Sequence, residues 1–145
     1  MSLLDHLELN IERNRLVEEL IDFFLHEEFE VHGARNIEGY TMPPTIPNSG
    51  YGDNRPRSPD VIGFDPKSHR IVFGIVRMDR ESLDNEESLT DYNVFLDHNA
   101  QRGEQASVVY VMLPDALVQE FTDIITHYIH REYWHRIIPV RARPT

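Results

Sequence analysis

Residues 57–79 read RSPDVIGFDPKSHRIVFGIVRMD. Two apolar runs, Pro59 to Asp65 and Arg70 to Met78, flank the segment Pro66-Lys67-Ser68-His69. Asp-Pro followed by small polar residues favours a tight turn, so the stretch predicts a β-hairpin. Asp60 at the entry of the first strand and Arg77 and Asp79 toward the exit of the second fall at one end, opposite the turn that carries Asp65, Lys67 and Arg70. In a regular strand side chains alternate, which puts Ile71, Phe73, Ile75, Arg77 and Asp79 on one face, with Asp79 roughly 6.6 Å beyond Arg77.

Working outward, a chain of 145 residues with 40% hydrophobic residues is the size of one domain, residues 1–145, and can bury a core without disulfides or structural metal. The absence of cysteine excludes a disulfide framework, a thiolate zinc site and a cysteine nucleophile. The opening MSLLDHLELN has no basic segment followed by a continuous apolar one, and no later run approaches the roughly 20 apolar residues that cross a bilayer. The expectation is a soluble cytoplasmic protein without membrane contact. Net charge is −11, which opposes indiscriminate nucleic-acid binding. The charge is uneven. Residues 1–32 carry nine acids and two bases, and 79–123 carry eleven acids and two bases, whereas 33–78 carry four acids and six bases. Positive charge therefore gathers around the hairpin and in the last fifteen residues.

Before the hairpin, Asn10 can cap a helix reaching Glu27 or Glu28, with Leu16, Val17, Leu20, Ile21 and Phe24 on one face. FEVHGARNIEG reads as a short strand ending in turn residues. Residues 41–58 form a Pro/Gly-rich loop that can be neither helix nor central strand and leads directly into Asp60. A loop of this length in a compact domain is usually functional or disordered. It carries Tyr51, with Tyr40 just before it, either to pin it to the core or to stack on a base.

After the hairpin a helix is expected from about Leu89 to Arg102, with Tyr92, Phe95, Leu96 and Asn99 inward. ASVVYVML then reads as an interior strand because it is apolar on both faces. A second long helix is expected to open at Pro114-Asp115 with Leu117, Phe121, Ile124, Ile125 and Tyr128 inward, followed by a last strand from Arg136 to Arg143. The order α-β-β-β-α-β-α-β implies an α/β domain, a mixed sheet with helices on both faces. His127 and His130 are three apart on that helix and His135 follows. They suggest an imidazole metal site, against the simpler reading of partly buried residues at a helix end.

The element order, Pro59-Asp60 and the hairpin together resemble the PD-(D/E)XK superfamily, the restriction-endonuclease-like fold, over roughly residues 10 to 143. The resemblance implies a Mg²⁺ or Mn²⁺ phosphodiester hydrolase acting on DNA, often as a homodimer. It also implies that the second strand carries an acid and a lysine. The best frame here is Ile75-Val76-Arg77, which has neither. Isoleucine cannot hold a metal, and an arginine is a poor proton shuttle although it can clamp a phosphate. The catalytic candidates are thus Asp60 and Arg77. If the site is active, its metal ligands are Asp60, Asp79 and a glutamate of the first helix, Glu19 or its neighbour Glu18. Arg55, Arg57, Arg77 and Arg80 are the candidates for contact with nucleic acid. Arg77 is also placed to neutralise Asp60 without any metal. Three readings stand: a degenerate domain with little or no nuclease activity, an active nuclease with a rearranged site, and an acidic interaction or scaffold subunit with a protein partner.

Overall fold

The structure, a computed structural model, describes residues 2–98 and 106–144. Helix α1 spans Leu3–His26. It begins before the expected cap at Asn10 because Ser2 and Asp5 form a reciprocal capping box, each side chain accepting the other's backbone N–H at 3.2 Å. The apolar periodicity conceals this start. Leu3, Leu4, Leu7, Leu9 and Ile11 bury nothing and are 44–76% exposed, whereas Leu16, Val17, Leu20, Ile21 and Phe24 are buried.

Five strands, β1 (Glu30–Ala34), β2 (Val61–Asp65), β3 (Arg70–Val76), β4 (Val108–Leu113) and β5 (Ile137–Arg141), form one sheet in the order β1-β2-β3-β4-β5. β1, β2 and β3 are antiparallel, and β3, β4 and β5 are parallel. The hairpin is β2–β3. Asp65 closes its turn by accepting from the Lys67 N–H at 2.9 Å and the Ser68 hydroxyl at 2.7 Å, and His69 takes the left-handed backbone at φ 57°. The unbroken apolar run of β4 is explained by its interior place between β3 and β5, with side chains buried on both faces. β5 is an edge. Ala142 N–H points inward to the Leu113 carbonyl, so by alternation the nitrogen of Pro139 faces outward, and the free edge lacks a donor there.

Helices cover both faces. Against one face, α1 packs Leu16, Val17, Leu20 and Phe24 on Val61, Val72, Val76 and Met112. It lies close because a Cβ at Gly74 would come within 2.6 Å of Leu20 Cδ2. Each of these fully buried large side chains contributes about 1.5–3 kcal/mol by leaving water. Against the other face pack α2 (Glu86–Asp97) and α3 (Val118–Tyr128), through Tyr92, Phe95, Leu96, Phe121, Ile124 and Ile125, on Phe73, Ile75, Val109 and Val111.

α2 starts at Glu86 rather than Leu89 because Asn85 caps it, accepting from Ser88 N–H at 2.8 Å. Residues 99–102 of the expected helix, Asn99 included, lie outside the described residues. α3 is preceded by a 3-10 turn, Asp115–Leu117. Tyr128, expected inward, is 52% exposed because the helix ends there and the chain turns away at Ile129. No helix among the described residues is long and apolar enough to cross a membrane.

Candidate functional site at the mouth of the hairpin

Asp60 immediately precedes β2. Its N–H donates to the Gly74 carbonyl at 3.0 Å and its carbonyl accepts from Arg35 N–H at 2.8 Å, so the ladder on both sides extends to it and fixes its side chain. That side chain is buried at 3% exposure. Oδ2 accepts the Val76 N–H at 2.9 Å, and Oδ1 meets Arg13 Nη2 at 2.8 Å and Arg35 Nε at 3.3 Å. Arg13 comes from α1. Arg35 follows β1 and also donates to the carbonyls of Ser58 and Pro59, strapping the end of the long loop to the sheet.

A second carboxylate shares the field of Arg77 with Asp60, although no ion pair among the described residues joins the two groups. Asp91, on α2, pairs with Arg77 Nη2 at 2.9 Å and lies 3.6 Å from Arg57 Nε. Arg57 further engages Asp53 at 2.9 Å and Glu87 at 2.5 Å. Arg77 donates to the Val76 carbonyl and stacks 5.5 Å from the centre of the Tyr92 ring, whose hydroxyl donates to the Leu83 carbonyl. The two partners of the Arg77–Asp91 pair fare differently. Burial works against the guanidinium charge, but Tyr92 and Asp91 outweigh it and hold Arg77 above its ordinary value. For Asp91 burial wins over the attraction of Arg77 and Arg57 and pushes the carboxyl up. The Nε–H groups of Arg57 and Arg77 are buried without a hydrogen-bond acceptor, the cost of crowding two guanidiniums onto one carboxylate.

The loop at 41–58 is ordered by its own contacts. Ile46 and Arg57 exchange backbone hydrogen bonds of 2.6 and 3.0 Å, and Asn48 accepts from the N–H groups of Gly50 and Tyr51. Ile46 and Tyr51 pack into the core under α2. Tyr51 is therefore a pin, and the loop meets the Asp60 corner through Arg35, which holds the carbonyls of Ser58 and Pro59 as well as Asp60. Tyr40 is 36% exposed and plays no such part.

Of the residues singled out from sequence, the structure gathers Asp60, Arg57 and Arg77. Ile75 stands across from Asp60 when the β2–β3 register is continued by one pair, and it is 2% exposed among Phe73, Phe95 and Val111. Asp79 is elsewhere. β3 ends at Val76, so the expected alternation stops short of Asp79, which is exposed and accepts from Ser82 N–H at 2.9 Å. Glu19 is buried between α1 and the C-terminal segment, where it accepts from Arg143 N–H and meets Arg15 at 3.3 Å. Its neighbour Glu18 is exposed. Arg80 pairs with Glu120 at 2.7 Å and Asp84 at 3.6 Å, and Arg55, 79% exposed, faces Asp53. The direct neutralisation of Asp60 assigned to Arg77 is supplied by Arg13 and Arg35.

Among the described residues no group of three or more His, Cys, Asp or Glu side chains is placed to hold a metal ion; His127, His130 and His135 do not form one. Sequence reasoning missed Arg13, Arg35 and Asp91. Arg35 had a signal, since it directly follows the strand that pairs with β2; Arg13 and Asp91 had none, because helix packing alone brings them in. Comparison of the chain with family models, curated proteins and solved structures finds no match.

Proposed function

We propose that this chain is a degenerate restriction-endonuclease-like domain of the PD-(D/E)XK superfamily, without nuclease activity, in which arginines neutralise the aspartate that a metal would otherwise engage. One observation carries the reading: both oxygens of Asp60 are taken, by Arg13, Arg35 and the Val76 N–H, while the facing position is Ile75 in an apolar core. A hydrated Mg²⁺ needs octahedral oxygen ligands, and an apolar branch at the facing position supplies none. The arginines have a use that involves no substrate. Arg13, Arg35, Arg57 and Arg77 are matched by Asp53, Asp60, Glu87 and Asp91, so the cluster presents little surplus charge to a phosphate backbone.

The test is incubation with double-stranded, single-stranded and branched DNA in Mg²⁺ or Mn²⁺. No cleavage is expected. Cleavage by the unmodified chain that disappears in Asp60→Ala would overturn the reading in favour of a rearranged site, with Asp79→Asn the next substitution. Conversely, Ile75→Glu with Arg77→Lys should lose stability through a buried carboxylate and recover part of it on adding Mn²⁺.

A second reading, an interaction or scaffold subunit, is favoured by the start of α1. Leu3, Leu4, Leu7, Leu9 and Ile11 are exposed within nine residues, with Asp5, Glu8 and Glu12 beside them and no Lys or Arg before Arg13. Leu4→Ser with Leu7→Ser and Ile11→Ser should leave the unfolding midpoint unchanged. Sedimentation velocity of the two forms then separates a homodimer, lost in the variant, from a surface reserved for a protein partner.

A further inference from the structure

A cavity of about 300 Å³ opens where the three parallel strands end. Met78 lies just beyond β3, Pro114 and Asp115 just beyond β4, and Ala142 to Pro144 just beyond β5, while Glu12, Arg15 and Leu16 of α1 form the roof. Ligands of open α/β sheets bind outside the carboxyl ends of the strands, and this cavity lies there. The arginine–carboxylate cluster described above occupies the same end of the sheet but contributes none of these residues.

The walls are mostly apolar: Leu16, Met78, Pro114, Ala142 and Pro144. The charges at the rim are accounted for, with one exception. Glu12 is held by a two-point bond from Arg15, at 2.7 and 3.0 Å, which keeps its carboxyl below the ordinary value. Arg15 also reaches Glu19, and Asp115 is paired with Arg141 at 2.6 Å. Arg143 differs. Its backbone N–H is fixed on Glu19, but its guanidinium makes no hydrogen bond to the described residues, only a 3.9 Å approach of Nε to Glu19, and the side chain is 73% exposed. A planar fork of donors thus stands uncommitted beside an apolar cavity whose carboxylates are already neutralised.

We infer that this cavity binds a small monocarboxylate with an apolar body, the carboxylate on Arg143 and the hydrocarbon against Leu16, Met78 and Ala142. By liquid volume the cavity holds on the order of ten waters, which matches a molecule of about as many heavy atoms. An anion is favoured over a cation because the free hydrogen-bonding group is a guanidinium, and over a neutral molecule because the charged acceptor makes the stronger bond to it. The site is independent of the reading of Asp60.

The probe is octanoate, with octanamide as its uncharged counterpart, followed by calorimetry and amide chemical shifts on the full chain. Octanoate should bind at least tenfold more tightly than octanamide, with shifts at Leu16, Met78 and Ala142. Arg143→Gln should remove most of that preference without altering the unfolding midpoint. Ala142→Trp, which fills the cavity, should abolish binding of both, and retained folding is checked by the spectrum itself. Equal binding of acid and amide, or binding unaffected by Arg143→Gln, overturns the carboxylate assignment; shifts confined to other parts of the surface overturn the site. If Ala142→Trp fails to fold, Met78→Phe makes the same test of the cavity.

Discussion

Two buried carboxylates, Asp60 and Glu19, are held in the same manner and end in opposite surroundings. Each accepts a backbone N–H, from Val76 and Arg143 respectively, and each is paired with an arginine of α1, Arg13 for Asp60 and Arg15 for Glu19. On that side of the sheet the loop at 41–58 and the end of β3 bring in Arg57 and Arg77, and α2 brings in their carboxylate partners Glu87 and Asp91. Around Glu19 the chain runs out along α1, and room remains for the cavity beneath Arg15 and Arg143 and for a second of about 340 Å³ lined by Glu19, Asp22, Phe23, His26 and Met112. The lesson is that a motif marks where charge is concentrated, whereas accessible volume depends on how many elements converge there. In this molecule the two do not coincide.

The first substitution breaks the comparison where it is closest. Asp60→Asn keeps a hydrogen-bond acceptor but removes the charge that Arg13 and Arg35, 35% and 29% exposed, share, Arg13 at the shorter distance of 2.8 Å, and should cost about 2 kcal/mol in urea unfolding. Glu19→Gln leaves Arg15 and Arg143, which are 38% and 73% exposed, meet it only at 3.3 and 3.9 Å and are able to return to water, and should cost about 1 kcal/mol. Equal costs would mean that the shorter pairing at Asp60 carries no weight.

Next, the closure of the Asp60 corner depends on the loop being pinned. Tyr51→Ala should lose about 2 kcal/mol, less than a fully buried aromatic because Tyr51 is only half-buried, whereas Tyr40→Ala should lose under about 0.5 kcal/mol. A reversal in the thermal midpoints would identify Tyr40 as the anchor instead.

The smallest effect is a slope. Burial raises the Asp91 carboxyl above its ordinary value, so its folded pKa exceeds its unfolded one. Stability from such a group is fully present below the unfolded value and is lost as pH rises through the folded one. Wild-type stability relative to Asp91→Asn should therefore decline as pH rises across the carboxylate range. Unfolding midpoints measured through that range that diverge in the other direction would show that Arg77 and Arg57 outweigh burial at Asp91.

What the sequence determined by itself was local. The hairpin was legible because Asp-Pro and small polar residues separate two apolar runs, and β4 because apolarity on both faces requires an interior strand. The mixed sheet with helices on both faces followed from that succession, and the apolar Ile75 opposite Asp60 was visible in the letters alone. The start of α1 was also written in the sequence, in Ser2 and Asp5, but the period of the buried face pointed to Asn10, since that face begins only where the sheet does. Tertiary structure decided the partners. Asp79 falls away because β3 ends at Val76, three residues before it, and Asp91 and Arg13 arrive from helices 31 and 47 residues distant along the chain from Asp60. A strand's period constrains its own faces; it holds no information about which helix will be packed against the end of the sheet, and that packing is what turned an isolated aspartate into a closed ion cluster and left the cavity under Arg143 open.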